Sequence, residues 1–203
     1  MKRLVEGYQR FRAETWPTER KRYETLAQRG QKPETLVIGC VDSRVDPQTV
    51  FGAGPGELLV VRNVANLVPP YQPDAGYHGT SAALEFAVKV LGVRNIVVLG
   101  HANCGGVGAL LEGAPRHAAD FINPWMSIAE PALWPIPPSF GEDGLHAHFE
   151  REVVRLSVKN LMTFPWIASR VASGALTLHG CRFDIATGQL AVMTDEGFEA
   201  VAP

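Results

Sequence analysis

The chain lacks the features that mark several common protein classes. Its 203 residues hold only three cysteines, Cys40, Cys104 and Cys181. An odd number spread over so long a chain is no disulfide framework and suits a compartment that keeps thiols reduced. Net charge is small: 19 Lys and Arg against 21 Asp and Glu leave −2, with no basic run, so nucleic acid has little to hold. No segment approaches the roughly 20 unbroken apolar residues that span a bilayer. Met1-Lys2-Arg3 is not followed by the apolar run of a secretory signal. The expectation is a cytoplasmic protein with no membrane or nucleic-acid partner. Repeats and low-complexity tracts are also missing. What is present is an ordinary globular composition, 46% hydrophobic and 20% charged, in a chain long enough for a sizeable core.

Residues 1–30 are polar, with Leu4, Tyr8 and Phe11 at helical spacing. Pro17 is expected to break this pattern and open a second helix that Gly30 ends. Such an amphipathic arm has little core of its own and needs a surface, which a second subunit could supply. From residue 31 to 203 the chain reads as one α/β domain. Apolar runs at Thr35–Gly39, Leu58–Val61 and Asn95–Leu99 read as strands. The stripe Ala83, Leu84, Ala87, Val88 and Leu91 reads as a helix. Strands that are apolar on both faces and alternate with helices predict a mostly parallel central sheet flanked by helices. The proline-rich stretch 114–148 has no clear assignment beyond a short helix within Ile122–Leu133. Helices are expected over Phe149–Met162 and from Phe164-Pro165-Trp166 to about Ser173. Two further strands are expected at Leu176–Leu178 and Leu190–Val192, with Thr187-Gly188 as a turn.

Two short segments carry the chemistry: Cys40-Val41-Asp42-Ser43-Arg44 and His101-Ala102-Asn103-Cys104-Gly105-Gly106. Each follows a predicted strand, and in open α/β sheets chemistry collects beyond the strands' carboxyl ends. Cys40, His101 and Cys104 form a two-sulfur, one-nitrogen donor set for Zn2+. A zinc ion held by three protein groups keeps one position for water, the mark of a catalytic site. Any one of these residues alone would read better as a packed core residue; the combination carries the argument. Two thiolates neutralise the ion's formal charge, so its water needs help from neighbours. Asp42 and Arg44 would share a side on an extended segment, where Arg44 can hold Asp42 in a bidentate pair. Asp42 can then accept a hydrogen bond from the nucleophile, while Arg44 keeps it from swinging onto the metal. A plain surface ion pair is the weaker reading at this position.

These residues resemble the β-class carbonic anhydrases, whose pattern is Cys-x-Asp-Ser-Arg with His-x-x-Cys-Gly-Gly. Pro55-Gly56-Glu57 and Arg62-Asn63-Val64-Ala65-Asn66 match as well. Val68-Pro69-Pro70-Tyr71 is similar to the plant-type branch. The resemblance implies an enzyme that reversibly hydrates carbon dioxide to bicarbonate and a proton, with Zn2+ on Cys40, His101 and Cys104 and an Asp42–Arg44 catalytic dyad. It implies that Gln31 meets the substrate oxygen, often across a dimer interface. It also implies that Leu59, Val64 and Phe86 line an apolar cleft and that Gly105 offers its backbone N–H. Family members are dimers or multiples of dimers, with the N-terminal helices wrapped over the partner. Some bacterial members bind inhibitory bicarbonate through Trp, Arg and Tyr. Here those positions hold Val37, Arg62 and Phe183, which predicts no such switch. Two alternatives stay open at this stage: a hydrolase of carbonyl sulfide or carbon disulfide on the same metal, and a non-catalytic zinc-stabilised interaction module.

Overall fold

A computed structural model describes residues 1–113, 115–136, 138–140 and 144–202. Pro137, one of the prolines in the unassigned stretch, lies outside them. Six strands form one sheet in the order β2-β1-β3-β4-β5-β6. The strands are β1 Thr35–Cys40, β2 Leu58–Asn63, β3 Asn95–His101, β4 Thr177–Phe183, β5 Leu190–Met193 and β6 Phe198–Ala200. Strands β1 to β4 are parallel; β5 and β6 are added antiparallel by hairpins. The expected strands are all present. The last, β6, was not anticipated: it is only three residues long and offers no alternation to read.

The helices are α1 Lys2–Arg10, α2 Trp16–Arg29, α3 Pro47–Val50, α4 Gly79–Glu85, α5 Gly105–Glu112, α6 Ala119–Met126, α7 Gly144–Leu161 and α8 Pro165–Ala172. Pro17 does not separate α1 from α2. A π-helical turn at Phe11–Thr15 joins them, with the N–H of Trp16 donating to the Phe11 carbonyl. Pro17 follows immediately in the first turn of α2, where a missing N–H is tolerated. Gly30 ends α2 at φ 76°, a conformation that favours glycine.

The β1 and β3 strands alternate between two buried faces. Leu36, Ile38, Ile96 and Val98 meet Leu84, Val88, Val154 and Leu161 on one side. Val37 and Leu99 meet Val50, Phe51 and Cys181 on the other. Cys181 is buried on β4 as a packed strand residue. Helix α7 lies very close to the sheet, because Val154 faces two glycines on adjacent strands. A Cβ on Gly100 would fall 2.5 Å from Val154 Cγ2, and one on Gly180 would fall 2.9 Å from Val154 Cγ1. A third core, beyond the carboxyl ends of β1 and β3, packs Cys40 and Cys104 with Leu67, Val107, Phe149 and Val153.

Candidate metal centre

Register places the donors. Cys40 pairs with Asn63 at the end of β2, while Gly39 pairs with Leu99, so His101 lies just past Cys40 on the neighbouring strand. Asn103, at φ 54°, turns the chain back, and Cys104 becomes the N-cap of α5. Asparagine tolerates this left-handed conformation better than most residues. The Sγ atoms of Cys40 and Cys104 are 4.0 Å apart. They and a His101 ring nitrogen all lie within 4.8 Å of one another, and all three residues are buried.

The histidine shows what the cluster is built for. Its Nδ1 is 2.9 Å from the Ala102 carbonyl, so that nitrogen must carry the proton. Nε2 is left as a bare acceptor, fully buried, with no hydrogen-bond partner among the described residues. An orphaned buried acceptor facing two sulfurs is costly unless something electropositive sits between them. A soft divalent cation that accepts sulfur and nitrogen fits, and zinc is the ion that this donor set favours. The thiols are already prepared for it. One ionises far below the usual thiol range because the other donates its S–H, helped by the N–H groups of Asp42 and Ala65. The second is held above the ordinary range by that bond, by burial and by the neighbouring charge. The two behave as one site that releases its first proton easily.

Asp42 and Arg44 stand at the rim. Arg44 donates from Nε to Oδ1 at 2.9 Å and from Nη2 to Oδ2 at 2.7 Å. The segment is not extended as expected. It is a turn in which the Arg44 N–H also donates to Oδ1 at 2.9 Å, and this local bond outcompetes a straight backbone. The Arg44 fork, against the opposing effect of burial, holds the Asp42 carboxyl well below the usual carboxylate range. Oδ2 lies 3.9 Å from His101 Nε2, close enough to turn onto a metal if Arg44 released it. Arg44 Nη2 also donates to the Asn103 carbonyl at 3.0 Å, tying the dyad to the second donor segment.

Arg62 is fully engaged here. It donates to the carbonyls of Cys40, Asp42 and Val45 at 2.7, 2.6 and 2.9 Å. Val37 is buried in the sheet, and Phe183 pairs with His101 across β3 and β4.

The expected cleft residues divide. Val64 packs against the Cys40 and Cys104 core, with Trp125 Nε1 donating to its carbonyl at 2.8 Å. Val41, Val64, Phe121, Ile122 and Trp125 line an apolar hollow of about 610 Å3. Gly105 opens α5, exposed, with free space where a Cβ would stand. Leu59 packs instead into the Leu84 and Val154 core, level with Leu36 and so four residues back along the strands from Cys40, and Phe86 is 45% exposed on the π-helical turn after α4. Gln31 is exposed ahead of β1, whose length puts ~17 Å between Thr35 and Cys40. Gln31 therefore cannot reach the cluster of its own chain.

Sequence reasoning missed Glu150. It is buried on α7, and its Oε1 accepts the Cys104 N–H at 3.3 Å. A carboxylate on the same helical stripe as Ala147 and Val154 was the available signal.

Comparison with known proteins agrees with this geometry. A family model described as carbonic anhydrase matches residues 35–190. A carbonic anhydrase of Pseudomonas aeruginosa is 36% identical over 199 residues, covering 94% of this chain and 86% of the relative. The chloroplastic beta carbonic anhydrase 5 of Arabidopsis thaliana is 42% identical over 165 residues, covering 78% of this chain and 53% of the relative. The solved β-carbonic anhydrase CcaA superposes with a TM-score of 0.90 at 35% identity, covering 100% of this chain and 92% of that one. The Coccomyxa β-carbonic anhydrase in complex with acetazolamide gives 0.80 at 29%, covering 94% and 84%. The three buried donors, the dyad on the turn beside them and these likenesses over nearly the whole chain agree: it belongs to the β-carbonic anhydrase family.

Proposed function

We propose that the chain catalyses the reversible hydration of carbon dioxide to bicarbonate and a proton, with zinc as its metal. One observation carries this reading. Two buried thiols and an unpartnered imidazole nitrogen converge beside a carboxylate that an arginine holds ionised but off the cluster. Cys40, His101 and Cys104 would hold the ion, which supplies the Lewis acidity that makes water nucleophilic near neutral pH.

The remaining work falls to the chain. Asp42, ionised, can only accept hydrogen bonds, so it orients the nucleophile by taking its proton side and leaving a lone pair for carbon. Arg44 fixes that carboxylate and prevents it from closing on His101 Nε2. Carbon dioxide carries no charge, so the hollow beside Val41 and Val64 receives it without a desolvation penalty. The Gly105 N–H, at the start of α5, faces negative charge developing on oxygen.

The chain acts as a homodimer or a multiple of dimers. Gln31 lies beyond the far end of β1 from Cys40, so it serves a partner's cleft rather than its own. Leu4, Val5 and Tyr8 of the arm are exposed apolar residues in want of cover. Residues 1–30 form this arm and residues 31–203 one catalytic domain. Arg22, which donates to the Pro55 carbonyl at 2.7 Å, anchors the arm. Gln31 and the Arabidopsis likeness favour the plant-type branch. No helix among the described residues is long and apolar enough to cross a membrane, and three free cysteines suit the cytoplasm.

Stopped-flow hydration of carbon dioxide, with and without a zinc chelator and repeated on Asp42→Asn, tests the assignment. Full activity after chelation, or in the variant, would overturn it. The same assay on carbonyl sulfide separates the sulfur-substrate reading.

A further inference from the structure

Glu150 is a charged side chain placed where the reaction has no evident use for it. Only 2% of its side chain is exposed. Oε2 receives two bonds from Arg182, from Nε at 2.8 Å and Nη2 at 2.7 Å. Oε1 lies 2.8 Å from His146 Nδ1 and 3.3 Å from the backbone nitrogen of Cys104, whose N–H it accepts. Arg182 is itself braced by Asp184, with Nη1 3.7 Å from Oδ2.

Stability does not explain this group. A buried ion pair does little better than well-packed apolar residues of the same volume, and Phe149 and Val153 flank Glu150 with such packing. Position does explain it. The Cys104 N–H precedes the first turn of α5 and has no place in that helix's ladder. Without an acceptor it would be a buried orphan donor on a metal-ligand residue. The acceptor provided is a full negative charge, which makes the bond stronger and more directional than a neutral one. The carboxylate in turn is fixed on its other oxygen by a planar two-point clamp from β4.

We propose that Glu150 is a positioning residue for the metal centre: clamped by Arg182, it holds the Cys104 backbone and thereby sets where that sulfur stands. It touches neither substrate nor metal. The inference rests on the metal-centre reading above. Partners of this kind around a ligand typically change metal affinity by 10- to 100-fold when lost.

Zinc content of the purified wild-type protein tests the reading beneath the proposal: one ion per chain is expected. No zinc would sink the metal centre itself, and Glu150 with it, whereas the outcomes below bear on Glu150 alone. Two variants are compared with wild type, Glu150→Gln, which keeps the shape, and Glu150→Asp, which keeps the charge but withdraws it by one methylene. The readouts are the rate of zinc transfer to a chromogenic chelator, the thiolate-to-cobalt absorption of the cobalt-loaded protein, and thermal melting. Zinc release about tenfold faster than wild type, with an altered cobalt band, is expected in both variants. A merely structural role predicts lower melting with wild-type release rate and cobalt spectrum, and that result overturns the proposal. Should Glu150→Gln fail to fold, Glu150→Asp decides alone by the same two readouts.

Discussion

Replacing Arg62 by Met removes the charge and the donors while roughly keeping the length of the side chain. Arg62 makes three bonds to main-chain oxygens, at 2.7 Å to Cys40, 2.6 Å to Asp42 and 2.9 Å to Val45. Hydrogen bonds from a charged donor contribute about 1.5–3 kcal/mol each. Three of them set an upper range of about 5–9 kcal/mol, but Arg62 is only part-buried and water can replace it at some of these oxygens. A net loss of about 2–3 kcal/mol follows, which for a domain of this size lowers Tm by about 5–10 °C. Activity should suffer more than stability. The three carbonyls bracket the turn that carries Asp42, and a displacement of about 1 Å at a catalytic group can cost ~100-fold. The expected result is a folded protein with kcat down by one to two orders of magnitude and near-normal zinc content, since Cys40 remains anchored in β1. Stopped-flow hydration, differential scanning calorimetry and metal analysis on one preparation measure all three. An Arg62→Met protein with wild-type kcat and Tm would refute the claim that this side chain shapes the catalytic turn.

Other outcomes follow from the same geometry. Asp42→Asn keeps the shape but loses the anion that Arg44 grips, so kcat should fall ~100-fold or more with zinc retained; metal analysis beside the rate assay checks both parts. Chelation of zinc should abolish hydration and lower Tm, both restored by adding the ion back, as calorimetry with and without chelator would show. Asp184 accepts the Ala186 and Thr187 N–H groups at 3.0 Å each, and its carboxyl is depressed, chiefly by the Thr187 N–H. Its folded value is below its unfolded value, so its contribution is present above about pH 4 and lost as pH falls through the folded value. Asp184→Asn should therefore melt lower than wild type at pH 7, with the gap closing below about pH 4. Gly180→Ala puts a methyl 2.9 Å from Val154 Cγ1 and should cost about 1–3 kcal/mol, read from urea unfolding.

The sheet was legible because β1 and β3 are buried on both faces, which leaves unbroken apolar runs, and the donors were legible because they end those runs. Other features were hidden for physical reasons. The turn at Asp42 depends on a bond from its own backbone neighbour, which no periodicity records. Arg62 reads as an ordinary charge until the register of β1 and β2 brings it under three carbonyls. Glu150 is a lone acid on an apolar helix face, and only the fold reveals that Arg182 comes from β4 to meet it. The π-helical turns after α1 and α4 leave no pattern because they disturb the 3.6-residue repeat by a single residue.

Val154, wedged between two strands that have no side chains to push it away, makes α7 behave as a ruler laid flat on the sheet. One helical turn back along that ruler is Glu150. With the zero mark fixed by glycine, the carboxylate's reach toward Cys104 is fixed as well. Bulk added under Val154 should therefore be felt as a mis-set Cys104 sulfur, 46 residues of chain away from Glu150.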